Sequence, residues 1–286
     1  MEEKGKLTKD KQKLTKKKAV HLLFVIVFCA SFTGLVMQAG SKYLQMEKNR
    51  RIQKELQNRK EADEAQSFPE ENGSTADSTG SVESMQPPEI LSRYRKLHET
   101  NPDMVGWLTI PDTVIDYPVM QTEWDENHYL TIDFYGQPNE NGCLILDTDS
   151  TVGTGTAAQR YADGEAPSTN LIIHGHNMKS GEMFGSLLKY KKEEYGKEHT
   201  AIFFDSLYEE REYELIAVFY SQVYYREDDV FKYYQFFQAD TREEFEDWYT
   251  NIKALSLYDT GVTAEYGDRF ITLSCCSYQV EEGDLW

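Results

Sequence analysis

The stretch RFITLSCC, residues 269–276, reads as a β-strand, and its alternation decides which residues face a core. Successive strand side chains point to opposite faces, so Ile271, Leu273 and Cys275 share one face and Thr272, Ser274 and Cys276 the other. Ile271 and Leu273 make the first the core face, which leaves Cys276 for a site. VGWLTI, VIDYPVM, GCLILD, LIIHGH, AIFFD and YELIAVFYSQV carry the same Val, Ile, Phe and Tyr content, so seven short strands are predicted between turn signals. Helices are predicted over EILSRYRKLHETNP, which stops before Pro102, and over MFGSLLKYKKEEYG and TREEFEDWYTNIKALS. The last opens with Thr241 three residues before Glu244, a capping box, and repeats Phe245, Trp248, Ile252 and Leu255 as one apolar face. Many short strands with few helices predict a mainly β domain, a barrel or a sandwich, large enough to bury a core without metal or disulfides.

The 286 residues divide by composition into a mildly basic and a strongly acidic part. Residues 1–88 hold 15 Lys and Arg against 12 Asp and Glu, a net of +3; residues 89–286 hold 15 against 37, a net of −22. So acidic a domain repels nucleic acid, whose binding rests on basic side chains neutralising phosphates, and that class is excluded. Residues 1–18 form a Lys-rich tail. Residues 19–40, AVHLLFVIVFCASFTGLVMQAG, carry no formal charge over the roughly 20 residues a membrane crossing needs, and read as a transmembrane anchor. They exceed the roughly 7–15 apolar residues of a cleaved signal peptide. Lysines before the span and Lys/Arg after it nearly balance, so charge alone does not orient it. Residues 41–88 read as a stalk, an exposed helix over 41–66 followed by the linker SFPEENGSTADSTGSVESMQPP. Residues 89–286 are the folded domain.

Four cysteines are too scattered for a disulfide framework, and none has the C-x-x-C spacing of a zinc site. Cys29 lies in the span, with Phe28 where a lipidation site needs a small residue, and Cys143 reads as a small buried hydrophobe. LIIHGHNM places His174 and His176 two apart at the end of a strand, on one face. A histidine beside Cys276 would take the thiol proton and later protonate a leaving amine, help that a thiol of pKa near 8.5 needs at neutral pH. On the residues alone other readings stand beside this one. They are a buried thiol with a satisfied histidine, a vicinal disulfide between Cys275 and Cys276, and a metal site begun by the two histidines, for which no third ligand has recognisable spacing. EDD at 227–229 reads as solvated loop, not as calcium ligands, and no metal or other cofactor is expected.

NPDMVGWLTIPDTVIDYPVMQ, NLIIHGHNMKSGEMFGSLLKY and SLYDTGVTAEYGDRFITLSCCSY, in that order, resemble the class B sortases, membrane-anchored cysteine transpeptidases of Gram-positive bacteria. The resemblance runs from about residue 90 to the last residue. It implies a sortase-like closed or partly open β-barrel with flanking helices, and matches TREEFEDWYTNIKALS to the long helix that class B members insert before the last strands. It implies catalysis by His176 and Cys276, with Cys275 in place of the usual threonine. His174 then stands where relatives carry a pocket-lining tyrosine, and Ser274 where a serine approaches the substrate. The implied partners are secreted proteins bearing a C-terminal sorting signal and an amine acceptor on a peptidoglycan precursor or pilin. The implied location is the cell membrane, with the domain outside. The resemblance also implies an arginine on a final strand about ten residues past the cysteine; the tenth residue past Cys276 is Trp286, so both are expected in a continuation beyond the 286 residues. Two alternatives remain, a Cys/His cell-wall peptidase and a catalytically inactive sortase-like binding module.

Overall fold

The structure is a computed structural model that describes residues 2–65, 88–157, 161 and 164–275, with side chains in the first helix described at 24 and from 27 onward. The chain divides into two compact units, residues 1–52 and 53–286. The first consists of helix α1, Glu2–Ala65, up to Ile52. The predicted anchor, 19–40, is helical along its backbone, and its side chains at 19–23, 25 and 26 lie outside the described residues. Among the described residues no helix is long and apolar enough to cross a membrane. The linker reading, 67–88, lies outside the described residues except at Pro88.

The second unit is built on one seven-stranded mixed sheet that nearly closes into a barrel. Its strands are β1 (Met104–Thr109), β2 (Asp116–Met120), β3 (Leu144–Leu146), β4 (Asn170–His174), β5 (Ala201–Ser206), β6 (Glu212–Glu214) and β7 (Phe270–Ser274). The order across the sheet is β6-β5-β1-β2-β3-β4-β7. The β2–β3 and β4–β7 pairs are parallel and the others antiparallel. β5 alternates between half-buried and buried positions as a strand with one core face does, whereas LIL of β3 is buried throughout. Leu108, Val119, Leu144, Leu171, Ile173 and Phe204 meet in the main core.

Helix α2 (Ser92–Thr100) precedes β1, and α4 (Arg242–Leu255) precedes β7. The predicted capping box of α4 forms on both sides, Thr241 accepting from the Glu244 amide and the Glu244 carboxylate accepting from the Thr241 amide. Phe245, Trp248 and Ile252 bury against Phe270 at the start of β7, the Trp248 and Phe270 rings 4.8 Å apart. Leu255, the last residue of α4, is exposed.

Three predicted elements differ. YELIAVFYSQV pairs as a strand only at its start, because its apolar side chains serve two cores. Leu215 enters the main one, while Ile216, Ala217 and Phe219 pack around α4. MFGSLLKYKKEEYG forms a 3-10 helix, Phe184–Lys191, and a short α3 (Glu193–Glu198), broken where Lys192 takes extended backbone angles. The stalk helix is not exposed throughout: from Gln53 on it packs within the second unit, with Leu56 fully buried and Lys60 bonded to Asp116 at 2.8 Å.

Candidate active site

β4 and β7 lie side by side in parallel, pairing Asn170 with Phe270 through to His174 with Ser274. The Gly175 N–H donates to the Ser274 carbonyl at 3.1 Å, so the two strands stay joined at their C-terminal ends. Leu171, Ile173, Ile271, Leu273 and Cys275 all contribute to the main core. That leaves Asn170, Ile172 and His174 with Thr272 and Ser274 on the opposite face, where Thr272 donates to the Asn170 side chain at 2.9 Å. The alternation read from the sequence holds through Cys275. Cys276 lies outside the described residues.

His176 sits just past β4, half-buried, and donates its Nε2–H to the Leu130 carbonyl at 2.8 Å. Its own carbonyl accepts from the Phe184 amide at 2.9 Å, which ties the segment to the 3-10 helix behind it. Only glycine fits between the two histidines: a Cβ on Gly175 would lie 2.6 Å from Leu144 Cδ2 and 2.7 Å from Phe184 Cδ2. Leu130 closes a 3-10 turn, His128–Leu130, whose buried Tyr129 donates to Asp103 at 2.8 Å and accepts from Asn101 at 2.8 Å. The turn that carries the acceptor for His176 is thus tied to Asn101 and Asp103, in the connection between α2 and β1.

His174 donates Nε2–H to Asp147 Oδ2 at 3.1 Å. Asp147 directly follows β3; its other oxygen accepts the Asp149 amide at 2.9 Å. Glu126, on the loop after β2, brings a third ligating group, all three within 4.8 Å of one another. Partial burial first, then the charge of Asp147, raise the Glu126 carboxyl above its usual range. Ser274 Oγ shares a 2.8 Å hydrogen bond with the Tyr233 hydroxyl from the 3-10 turn Tyr233–Gln235. Sequence reasoning sought ligands for His174 at local spacing, but the fold supplies Asp147 from 27 residues away through the β3–β4 pairing. It also missed Tyr233 and the Leu130 carbonyl. A tyrosine in a tyrosine-rich run and a main-chain oxygen give no signal of their own; only strand pairing would have pointed to Asp147.

No protein-family model matches the chain. Sortase B of Listeria monocytogenes is 33% identical over 188 residues, which cover 66% of this chain and 68% of the relative. Sortase B of Staphylococcus aureus is 24% identical over 190 residues, 65% of this chain and 68% of the relative. Among solved structures, that of sortase B from Bacillus anthracis in complex with AAEK1 superposes with a TM-score of 0.62 at 27% identity, covering 82% of this chain and 93% of that one.

Proposed function

The chain belongs to the sortase B family, and we propose that its cysteine transpeptidase chemistry runs through Cys276 as nucleophile and His176 as acid and base. The observation that carries the assignment is the parallel register of β4 and β7, which supports a histidine and a cysteine meeting at one end of the sheet. Cys275, which packs against the main core, directly follows Ser274, the last residue of β7, whose carbonyl accepts from the Gly175 amide. In the proposal Cys276 keeps the alternation of β7 and shares the face of Ser274 and His174.

The His176 Nε2–H is committed to Leu130, so a neutral ring has its lone pair on Nδ1. In the proposed cycle this nitrogen takes the Cys276 proton. The thiolate attacks a backbone carbonyl of a C-terminal sorting signal, and the imidazolium protonates the departing amine. The C–N bond breaks and a thioester remains. An amine on a peptidoglycan precursor or pilin then attacks the thioester and gives its proton to His176; the C–S bond breaks as the new amide forms, and the imidazolium returns the proton to the departing thiolate. Ser274 and His174 face the bound peptide, with Tyr233 positioning the Ser274 hydroxyl. The proposal includes a membrane anchor at 19–40, a stalk at 41–88 and an extracellular catalytic domain.

Intact-mass measurement of the full natural chain with candidate sorting peptides tests this. Wild type accumulates a thioacyl adduct that an added amine discharges as a transpeptidation product, Cys275→Ala keeps most of it, and Cys276→Ala has none. An adduct that maps to Cys275, or hydrolysis indifferent to amines, overturns the assignment.

A further inference from the structure

One cluster of ligating side chains joins His174 to two carboxylates that have no task in the thiol chemistry. His174 Nε2 and the carboxylates of Asp147 and Glu126 each turn one ligand atom toward a common point, all within 4.8 Å of one another. We propose that these three residues bind a divalent transition-metal ion of the zinc type at the end of β4.

One ligand pair already stands near zinc spacing. Two donors held about 2.1 Å from a tetrahedral zinc lie about 3.4 Å apart; His174 Nε2 and Asp147 Oδ2 stand at 3.1 Å. Two of the ligands are already fixed. His174 ends a strand paired on both sides, to Ile145 and to Ser274. Asp147 is buried, its Oδ1 held by the Asp149 amide and its own amide by the Ile172 carbonyl, so Oδ2 is the oxygen that would bind, the ion replacing the proton it shares with His174 Nε2. Glu126 comes from an exposed loop position and closes onto the ion without rearranging the sheet. The donor set also selects the class of ion: an imidazole nitrogen with two carboxylates suits zinc and its neighbours, whereas calcium and magnesium take oxygen donors. Three protein ligands leave a fourth position open, as zinc sites that exchange a ligand do.

That open position matters because of where the site lies. His174 is paired with Ser274, two residues before Cys276. Where the proposed function puts the Cys276 thiolate on this face, an ion held here would take it as a ligand, since thiolate binds zinc strongly, and so withdraw the nucleophile. This consequence rests on the function proposed above; the site itself does not.

Zinc titration of the untagged, chelator-treated protein followed by calorimetry tests the site, with cobalt absorption reporting the ligand field. One saturable site per chain is expected. Glu126→Gln, on an exposed loop where the change leaves the fold intact, and His174→Gln each weaken it about tenfold or more, while Cys276→Ala retains the three-residue site. No saturable binding in wild type, or unchanged affinity in both Glu126→Gln and His174→Gln, overturns the proposal. In the acylation assay, zinc inhibition reversed by chelator supports capture of the thiolate; a bound ion without inhibition refutes the capture and leaves the site standing. Failure of the metal-free protein to form an acyl-enzyme counts against the transpeptidase reading, not against the site.

Discussion

His176 and Leu130 are joined by a 2.8 Å hydrogen bond from an imidazole N–H to a main-chain carbonyl, and this bond sets which ring nitrogen is free. A carbonyl only accepts, so the neutral ring presents Nδ1 as its base. His176→Ala removes the base but only one half-buried hydrogen bond, worth about 1 kcal/mol. Single-turnover acylation by a sorting peptide should fall by roughly 100- to 10,000-fold, with a melting temperature within a few degrees of wild type. A variant that acylates at the wild-type rate removes His176 from the mechanism.

The carbonyl that receives this bond lies close against a glycine. Gly142 has φ +58°, and a Cβ there would lie 2.4 Å from both the Tyr129 and Leu130 carbonyl oxygens. Gly136 shares the left-handed geometry, φ +73°, but a Cβ meets nothing within 4 Å. Gly136→Ala therefore costs only the conformational strain, about 1 kcal/mol. Gly142→Ala adds a collision with backbone, so it should melt lower than Gly136→Ala and also acylate more slowly. Equal melting temperatures for the two variants would show that the turn yields freely and does not position His176.

The parts of this site differ in how visible they were in the sequence. The β7 alternation was legible because Ile271 and Leu273 mark a core face without reference to any other segment, and Cys275 follows them into that core. The α4 stripe and its cap were legible for the same reason, both being local patterns. His176 and Cys276 stood out through a motif, not through spacing, since a hundred residues separate them. Asp147 and Glu126 reach His174 only through pairing of β3 with β4 and the loop after β2, information that no local window holds. The burial of Leu56 was hidden likewise, because a helix rich in charge reads as exposed until its docking surface is known.

That docking surface gives a third prediction. Asp116 Oδ1 accepts from Trp107 Nε1 at 2.6 Å, Lys60 Nζ at 2.8 Å and Thr109 Oγ1 at 3.0 Å. Trp107 is almost wholly buried, with Lys60 lying 4.4 Å over its ring. Asp116→Ala leaves the indole N–H without its acceptor, a cost of about 1–3 kcal/mol, and frees Lys60. The melting temperature should drop by several degrees and Trp107 fluorescence should shift. Lys60→Met keeps the stem over the ring and the indole bond, so it should cost less. If Lys60→Met proves the worse of the two, the ion pair and not the buried indole carries the network.

Alkaline pH gives the fourth. Burial pushes the Tyr117 hydroxyl up to about 12, and burial with the Asp205 carboxylate raises Tyr94 further. In the unfolded chain both ionise near 10. A raised folded value means the native state holds its proton where the unfolded state has lost it. The stabilisation is therefore complete below pH 10 and is lost as pH rises from 10 through 12, by roughly 2 kcal/mol at pH 11.5 for Tyr117 alone. Tyr117→Phe removes that loss, but it also removes the acceptor of the Met183 amide, bonded at 3.3 Å, at a cost of about 1 kcal/mol. The variant should thus melt below wild type at pH 8, and the gap should shrink and then reverse as pH approaches 11.5. Parallel melting curves of constant separation across that range would mean that Tyr117 ionises as readily in the folded protein as in the unfolded chain.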